Sequence, residues 1–129
     1  MNTKVLMTAS ALFLALLGAA ASFLPQEILA SLDAPAEGYV VLVVQIAGAL
    51  YLGFAMLNWT ARENLIGGIY SRPVALGNFL HFVMVALAMW KEVFSGPGLL
   101  ALVVGAAAYT ALAVAFGLVL FNHPRAAQP

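Results

Sequence analysis

The chain contains no cysteine. Disulfides, thiolate nucleophiles, Cys-ligated zinc and iron–sulfur clusters are therefore excluded. Charge is almost as scarce, with five Lys+Arg and five Asp+Glu among 129 residues, 8% of the chain. A soluble domain carries roughly a quarter charged residues to face water, so lipid must be the main solvent here. The formal net charge is zero, and without a basic stripe there is no case for nucleic-acid binding.

What the chain has instead is apolar length: 64% of its residues are hydrophobic. A spanning helix needs about 20 mostly apolar residues. Four segments qualify, at about 5–24, 39–59, 73–90 and 98–121. The expected fold class is thus an all-α membrane protein, an antiparallel bundle of four transmembrane helices forming one domain over residues 1–129. The third span is the shortest, and Pro73 suits its first turn, where a missing N–H costs nothing. Lys4, Arg62, Arg72 and Arg125 fall on one side of these spans and only Lys91 on the other. The connection from Pro25 to Gly38 carries Glu27, Asp33 and Glu37 with no basic residue, and "PQEILASL" within it has room for one or two helical turns. The positive-inside rule places both termini and the Arg62–Arg72 loop in the cytoplasm, with Trp59 and Trp90 as interfacial aromatics on opposite sides. Lys4, the first apolar run and "GAAAS" also resemble a secretory signal with a small-residue cleavage site. The run is long enough to span, and it is read as an uncleaved anchor.

Lipid tails are as apolar as leucine, so helices in a bilayer associate through small residues and polar contacts. The fourth span repeats Ala101, Gly105, Tyr109, Ala113 and Gly117 at four-residue intervals, and the first repeats Ala11, Ala15 and Ala19. Ala49 and Gly53 in the second span and Gly77 in the third complete the expected packing set. Gln45 is expected to hydrogen-bond between helices.

One stretch breaks the apolar pattern: "NWTARENLIGGIYSRPVALGNFLHF", Asn58 to Phe82. On this topology it comprises the end of span two, a loop and the start of span three. Asn122 and His123 close span four at the same face, so both histidines and both loop arginines converge there. Asn78 and His81 are three apart on one helix face, and polar groups within a span usually turn toward the bundle interior. Arg72 adjoins a helix start, whose free N–H groups and dipole favour an anion. Asn58, Arg62, Arg72, Asn78 and His81 are therefore the candidate ligand-binding residues, for a lipid head group or a small anionic molecule. The bland readings are snorkelling arginines, polar glue between helices, and an Arg62 and Glu63 that pair with nothing in particular. Leu65, Ile66, Ile69 and Tyr70 make the loop apolar enough to lie back on the bilayer or the bundle, and Gly67-Gly68 permits such a bend.

Catalytic readings find little support. A metal site needs three or four ligands, and this end offers His81, His123 and Glu63 without a recognised spacing. A haem between His81 and His123, or a pigment on His81, is conceivable, but His123 falls at or beyond the end of its helix, and no cofactor is expected. No Ser, Thr or carboxylate forms a triad with His81, and no carboxylate sits mid-span as a proton-coupled transporter normally requires.

The Asn58-Trp59 pair, "GGIYSRP" and Asn78 with His81 resemble a family of small bacterial four-helix membrane proteins of unassigned function. The resemblance covers residues 57–82 and implies a stand-alone four-span protein in a bacterial cytoplasmic membrane. The expected function is non-catalytic: an accessory, assembly or stabilising subunit of a larger membrane complex, or a homo-oligomer, surrounded by membrane lipids. The alternative is a binder or carrier of a lipid or small anionic ligand at the polar stretch, and the third a membrane enzyme using His81.

Overall fold

The computed structural model describes residues 2–64, 66, 68 and 71–122, and these are all-helical. Five helices appear among them: α1 Thr3–Phe23, α2 Pro25–Ser31, α3 Tyr39–Ala61, α4 Arg72–Ser95 and α5 Leu100–Phe121. α1, α3, α4 and α5 are each long and apolar enough to cross a membrane, which marks the chain as a helical integral membrane protein.

The breaks between helices follow from local chemistry. Pro25 bars its predecessor from the helical region, so Leu24 leaves it (φ −126°, ψ 45°) and α2 begins afresh with the proline in its first turn. α2 ends in a Schellman arrangement: the Asp33 N–H donates to the Ala30 carbonyl at 3.2 Å and the Ala34 N–H to the Leu29 carbonyl at 2.9 Å. Asp33 takes the left-handed position (φ 53°) usually given to glycine, a conformation that aspartate tolerates better than most residues. The short helix expected from "PQEILASL" is therefore present.

The third span differs from expectation. α4 runs for 24 residues, to Ser95, and is the longest helix rather than the shortest. Lys91 and Glu92 end the apolar run, but both are good helix formers. The helix stops only at Gly96, whose N–H returns to the Glu92 carbonyl at 2.8 Å, ahead of Pro97 and a left-handed Gly98 (φ 65°). Trp90 is accordingly an interior residue of α4, not its end.

Contacts divide the chain into two compact units: Val5–Arg62, holding most of α1 with α2 and α3, and the part from Glu63 onward, joined by Lys4. In the first unit α1 meets α3 through glycine. A methyl group added at Gly18 would lie 2.8 Å from Leu52 Cγ, 2.9 Å from the Leu52 N and 3.0 Å from the Gly48 carbonyl; one added at Gly48 would lie 2.6 Å from Ser22 Oγ and 2.7 Å from its N. Only a hydrogen in place of a side chain permits backbones so near. The expected α3 packing residues, Ala49 and Gly53, are both exposed, and a methyl group at Gly53 would meet nothing within 4 Å. The closest approach thus falls one residue earlier than the small-residue spacing suggested, because it is the α1 backbone, not the spacing, that selects the face.

In the second unit α4 and α5 meet through aromatic rings. Phe82 stacks on Phe116, with centroids 5.5 Å apart and planes at 13°, and both are fully buried. Phe82 also lies 5.5 Å from the Tyr109 ring. Phe79 meets Phe121 edge-on at 5.7 Å, while Trp90 Nε1 donates to Thr110 Oγ1 at 2.9 Å. Thr110 in turn donates to the Ala106 carbonyl at 2.7 Å. Of the expected α5 packing residues, Ala113 is buried and Ala101 exposed. Gly105 lies under the Met89 methyl and Gly117 under the Phe79 ring, where added methyl groups would meet them at 2.5 and 3.1 Å. Gly77 of α4 is half-buried.

Candidate functional site

The polar stretch begins at the end of α3. Asn58 is fully buried, and its side-chain amide donates to Ser10 Oγ of α1 at 3.0 Å. Ser10, also fully buried, donates in turn to the Met7 carbonyl at 3.0 Å. Each group that would be costly to expose to hydrocarbon thus has a partner, the arrangement that interhelical polar residues adopt in membranes. Ser10 was missed in the sequence; its signal is weak, a single hydroxyl in an apolar run 48 residues from its partner.

Arg62 caps the end of α3. Its guanidinium carbon lies 3.9 Å above the Trp59 ring centre, and its Nη1 donates to the Trp59 carbonyl at 2.6 Å. A cation over an indole face contributes roughly 0.5–1 kcal/mol at an exposed site. Glu63 pairs with Lys4, whose Nζ lies 2.9 Å from Oε1 and 3.0 Å from Oε2. The expectation that Arg62 and Glu63 pair with nothing in particular is therefore wrong. Trp59 offers a π-face within one turn of Arg62, and folding brings Lys4, remote in sequence, to Glu63. Both partners in the ion pair are more than half exposed, so it contributes at most about 1 kcal/mol.

Of the loop, Ile66 is fully buried and Gly68 half-buried, its carbonyl accepting from the Ser71 N–H at 3.1 Å. Leu65, Ile69 and Tyr70, expected to lie back with Ile66, fall outside the described residues, as do Gly67 of the expected bend, His123 and Arg125.

The other three candidates lie on α4. Arg72 is its first residue, exposed, and followed by Pro73. Asn78 is fully buried; its amide donates to the Val74 carbonyl one turn back at 2.9 Å, so one of its bonds stays within its own helix. His81 places its ring 5.1 Å from Phe82 and 5.9 Å from Tyr109, within the aromatic seam. The five candidates thus fall into two sets, Asn58 and Arg62 in the first unit and Arg72, Asn78 and His81 in the second. Asn58 bonds across to α1 and Asn78 bonds back within α4, aromatic contacts engage Arg62 and His81, and Arg72 is an exposed cation at a helix start.

Gln45, expected to hydrogen-bond between helices, is exposed on α3. It shares that exposure with Ala49 and Gly53, four and eight residues on. Residues four apart lie one above another on a helix, so the three form a single exposed line, flanked by Leu42, Ile46, Leu50 and Met56, all more than 45% exposed. Among the described residues no group of three or more His, Asp or Glu side chains comes together to hold a metal ion.

Comparison with family models, curated proteins and solved structures gave no match to this chain.

Proposed function

We propose that this chain is a non-catalytic membrane protein that acts by lateral association, as an accessory, assembly or stabilising subunit of a larger membrane complex or as a homo-oligomer. The observation that carries this reading is the exposed line Gln45, Ala49 and Gly53 on α3. A primary amide in a spanning segment seeks a hydrogen-bonding partner, and small residues below it let a second helix come close; polar and small residues are what helix–helix contacts in membranes use. Gly18, Gly48 and Ala113 are buried within the chain, whereas Gln45, Ala49 and Gly53 combine an exposed amide with exposed small residues on one face. The four spans would run antiparallel in a bacterial cytoplasmic membrane, with both termini and the Arg62–Arg72 loop inside, following the distribution of Lys and Arg.

Native mass spectrometry after gentle extraction from the source membrane tests this. The expected result is a complex containing a second copy or another membrane polypeptide, lost in Gly53→Leu and weakened in Gln45→Leu while helical content is unchanged. A strictly monomeric protein, or a complex indifferent to both substitutions, would sink the proposal. Catalysis would instead be indicated by a turnover lost in His81→Ala with normal insertion.

A further inference from the structure

The seam between α4 and α5 is incompletely filled. Along it runs an open groove of about 460 Å³. Phe79, Phe121 and Asn122 bound one end, Trp90 and Thr110 the other, and Ala113 and Gly117 lie along it. The rim residues Val114 and Leu118 are 57% and 50% exposed, so the groove is open to the side. No charged side chain lines it, and its Trp90 and Thr110 polar groups already bond to each other.

We infer that this groove seats one acyl chain of a membrane phospholipid whose phosphate is held at Arg72. Three features select that occupant. The first is size. A helix about 10 Å across and 16 Å long displaces on the order of 1,250 Å³, well beyond the groove, whereas about 300–1,000 Å³ is usual for small-molecule sites. The second is shape: the groove is elongated, running about 16 Å from Phe79 to Trp90 at 1.5 Å per residue, the proportions of one extended acyl chain. The third is the cation. Arg72 and Phe79 are seven residues apart on α4, close to two turns and so on one face, with Ala86 of the groove lining seven further on. The exposed Arg72 therefore lies in line with the groove, about 10 Å before it begins, where glycerol and phosphate of a chain-bound lipid fall. Phosphate there meets a guanidinium and the positive end of the dipole of a 24-residue helix whose N-cap side chain makes no capping bond, a setting that favours anions. A hydrocarbon chain gains no transfer energy on leaving the bilayer; it is held by the dispersion contacts that an empty groove forfeits and by its head group. The site is independent of the α3 face.

The test uses the full chain in nanodiscs of phosphatidylethanolamine and phosphatidylglycerol carrying a trace of phosphatidylglycerol with a photoactivatable diazirine on its acyl chain. Label is expected to concentrate on Val114 and Leu118 over Leu42 and Leu50 of α3, which are comparably exposed (48% and 62%). Val114→Trp, a change at an exposed position, should remove that excess and leave α3 labelling unchanged. Arg72→Gln should lower the preference for the anionic over the zwitterionic lipid by about fivefold, the weight of one basic residue near an anionic surface. Labelling spread evenly over all exposed apolar residues overturns the proposal, and this arm needs no variant. So does a retained neutral isoprenoid in place of phospholipid, or a second copy cross-linked in the groove. Head-group preference unchanged in Arg72→Gln removes Arg72 from the site.

Discussion

Replacing Gly48 by alanine tests the packing of α1 on α3. The new methyl carbon would stand 2.6 Å from Ser22 Oγ, 2.7 Å from the Ser22 N and 3.0 Å from the Ala21 carbonyl carbon. The hydroxyl can rotate aside; the backbone atoms cannot. Restoring ordinary contact, about 3.5–4.0 Å, requires the helices to part by on the order of 1 Å. Over-filling a packed interior typically costs about 1–3 kcal/mol. Gly→Ala within a helix also returns roughly 0.5–1 kcal/mol by reducing backbone entropy loss, and this gain is common to any helical glycine. Gly53 supplies the control, because a methyl group there touches nothing within 4 Å. The difference in unfolding free energy between Gly48→Ala and Gly53→Ala therefore isolates the contact, with Gly48→Ala the less stable by about 1–3 kcal/mol. Reversible unfolding in mixed micelles, followed by circular dichroism on protein verified as monomeric, measures it. Equal stabilities for the two variants would refute the close approach of α1 and α3 at this position.

Other consequences follow from the same contacts. Asn58→Leu should lower stability by about 0.6–2 kcal/mol, the range for interhelical hydrogen bonds in membranes; a double-mutant cycle with Ser10→Ala in the same unfolding assay should show coupling, and additive effects would mean the bond contributes nothing. Phe116→Ala removes the ring stacked on Phe82 and should be the most destabilising single change in α5. The loss should fall below the ~3–5 kcal/mol of soluble cores, since lipid as well as protein can solvate the freed surface, and thermal unfolding would show it. Lys4→Ala should change stability by less than about 1 kcal/mol, in a salt-dependent way; a larger, salt-independent loss in the same measurement would contradict an exposed pair. Trp90→Phe keeps an aromatic ring, though a smaller one, but removes the donor to Thr110, and should cost about 1 kcal/mol and shift the tryptophan emission spectrum.

The sequence by itself determined the medium and the elements. Scarce charge and four apolar runs demand lipid and spanning helices, since backbone groups in hydrocarbon must bond within their own segment. Helix boundaries were legible where proline stands, at Pro25 and Pro73, because proline acts on its immediate neighbours. The end of α4 was misplaced because hydropathy reports where lipid ends, whereas backbone hydrogen bonding continues through Lys91 and Glu92 to the first breaker. Tertiary structure alone decided which small residues meet a neighbour. Ala49 and Gly53 have the same four-residue spacing as buried stripes, yet Gly48 is the residue in contact, since the azimuth of a helix depends on its partner's surface. The candidate site was legible as a set of polar residue types, but their partners, Ser10 for Asn58, Trp59 for Arg62 and Lys4 for Glu63, were not. Pairings between residues as far apart as 48 and 59 positions are made by helix packing, and nothing in the local sequence encodes them.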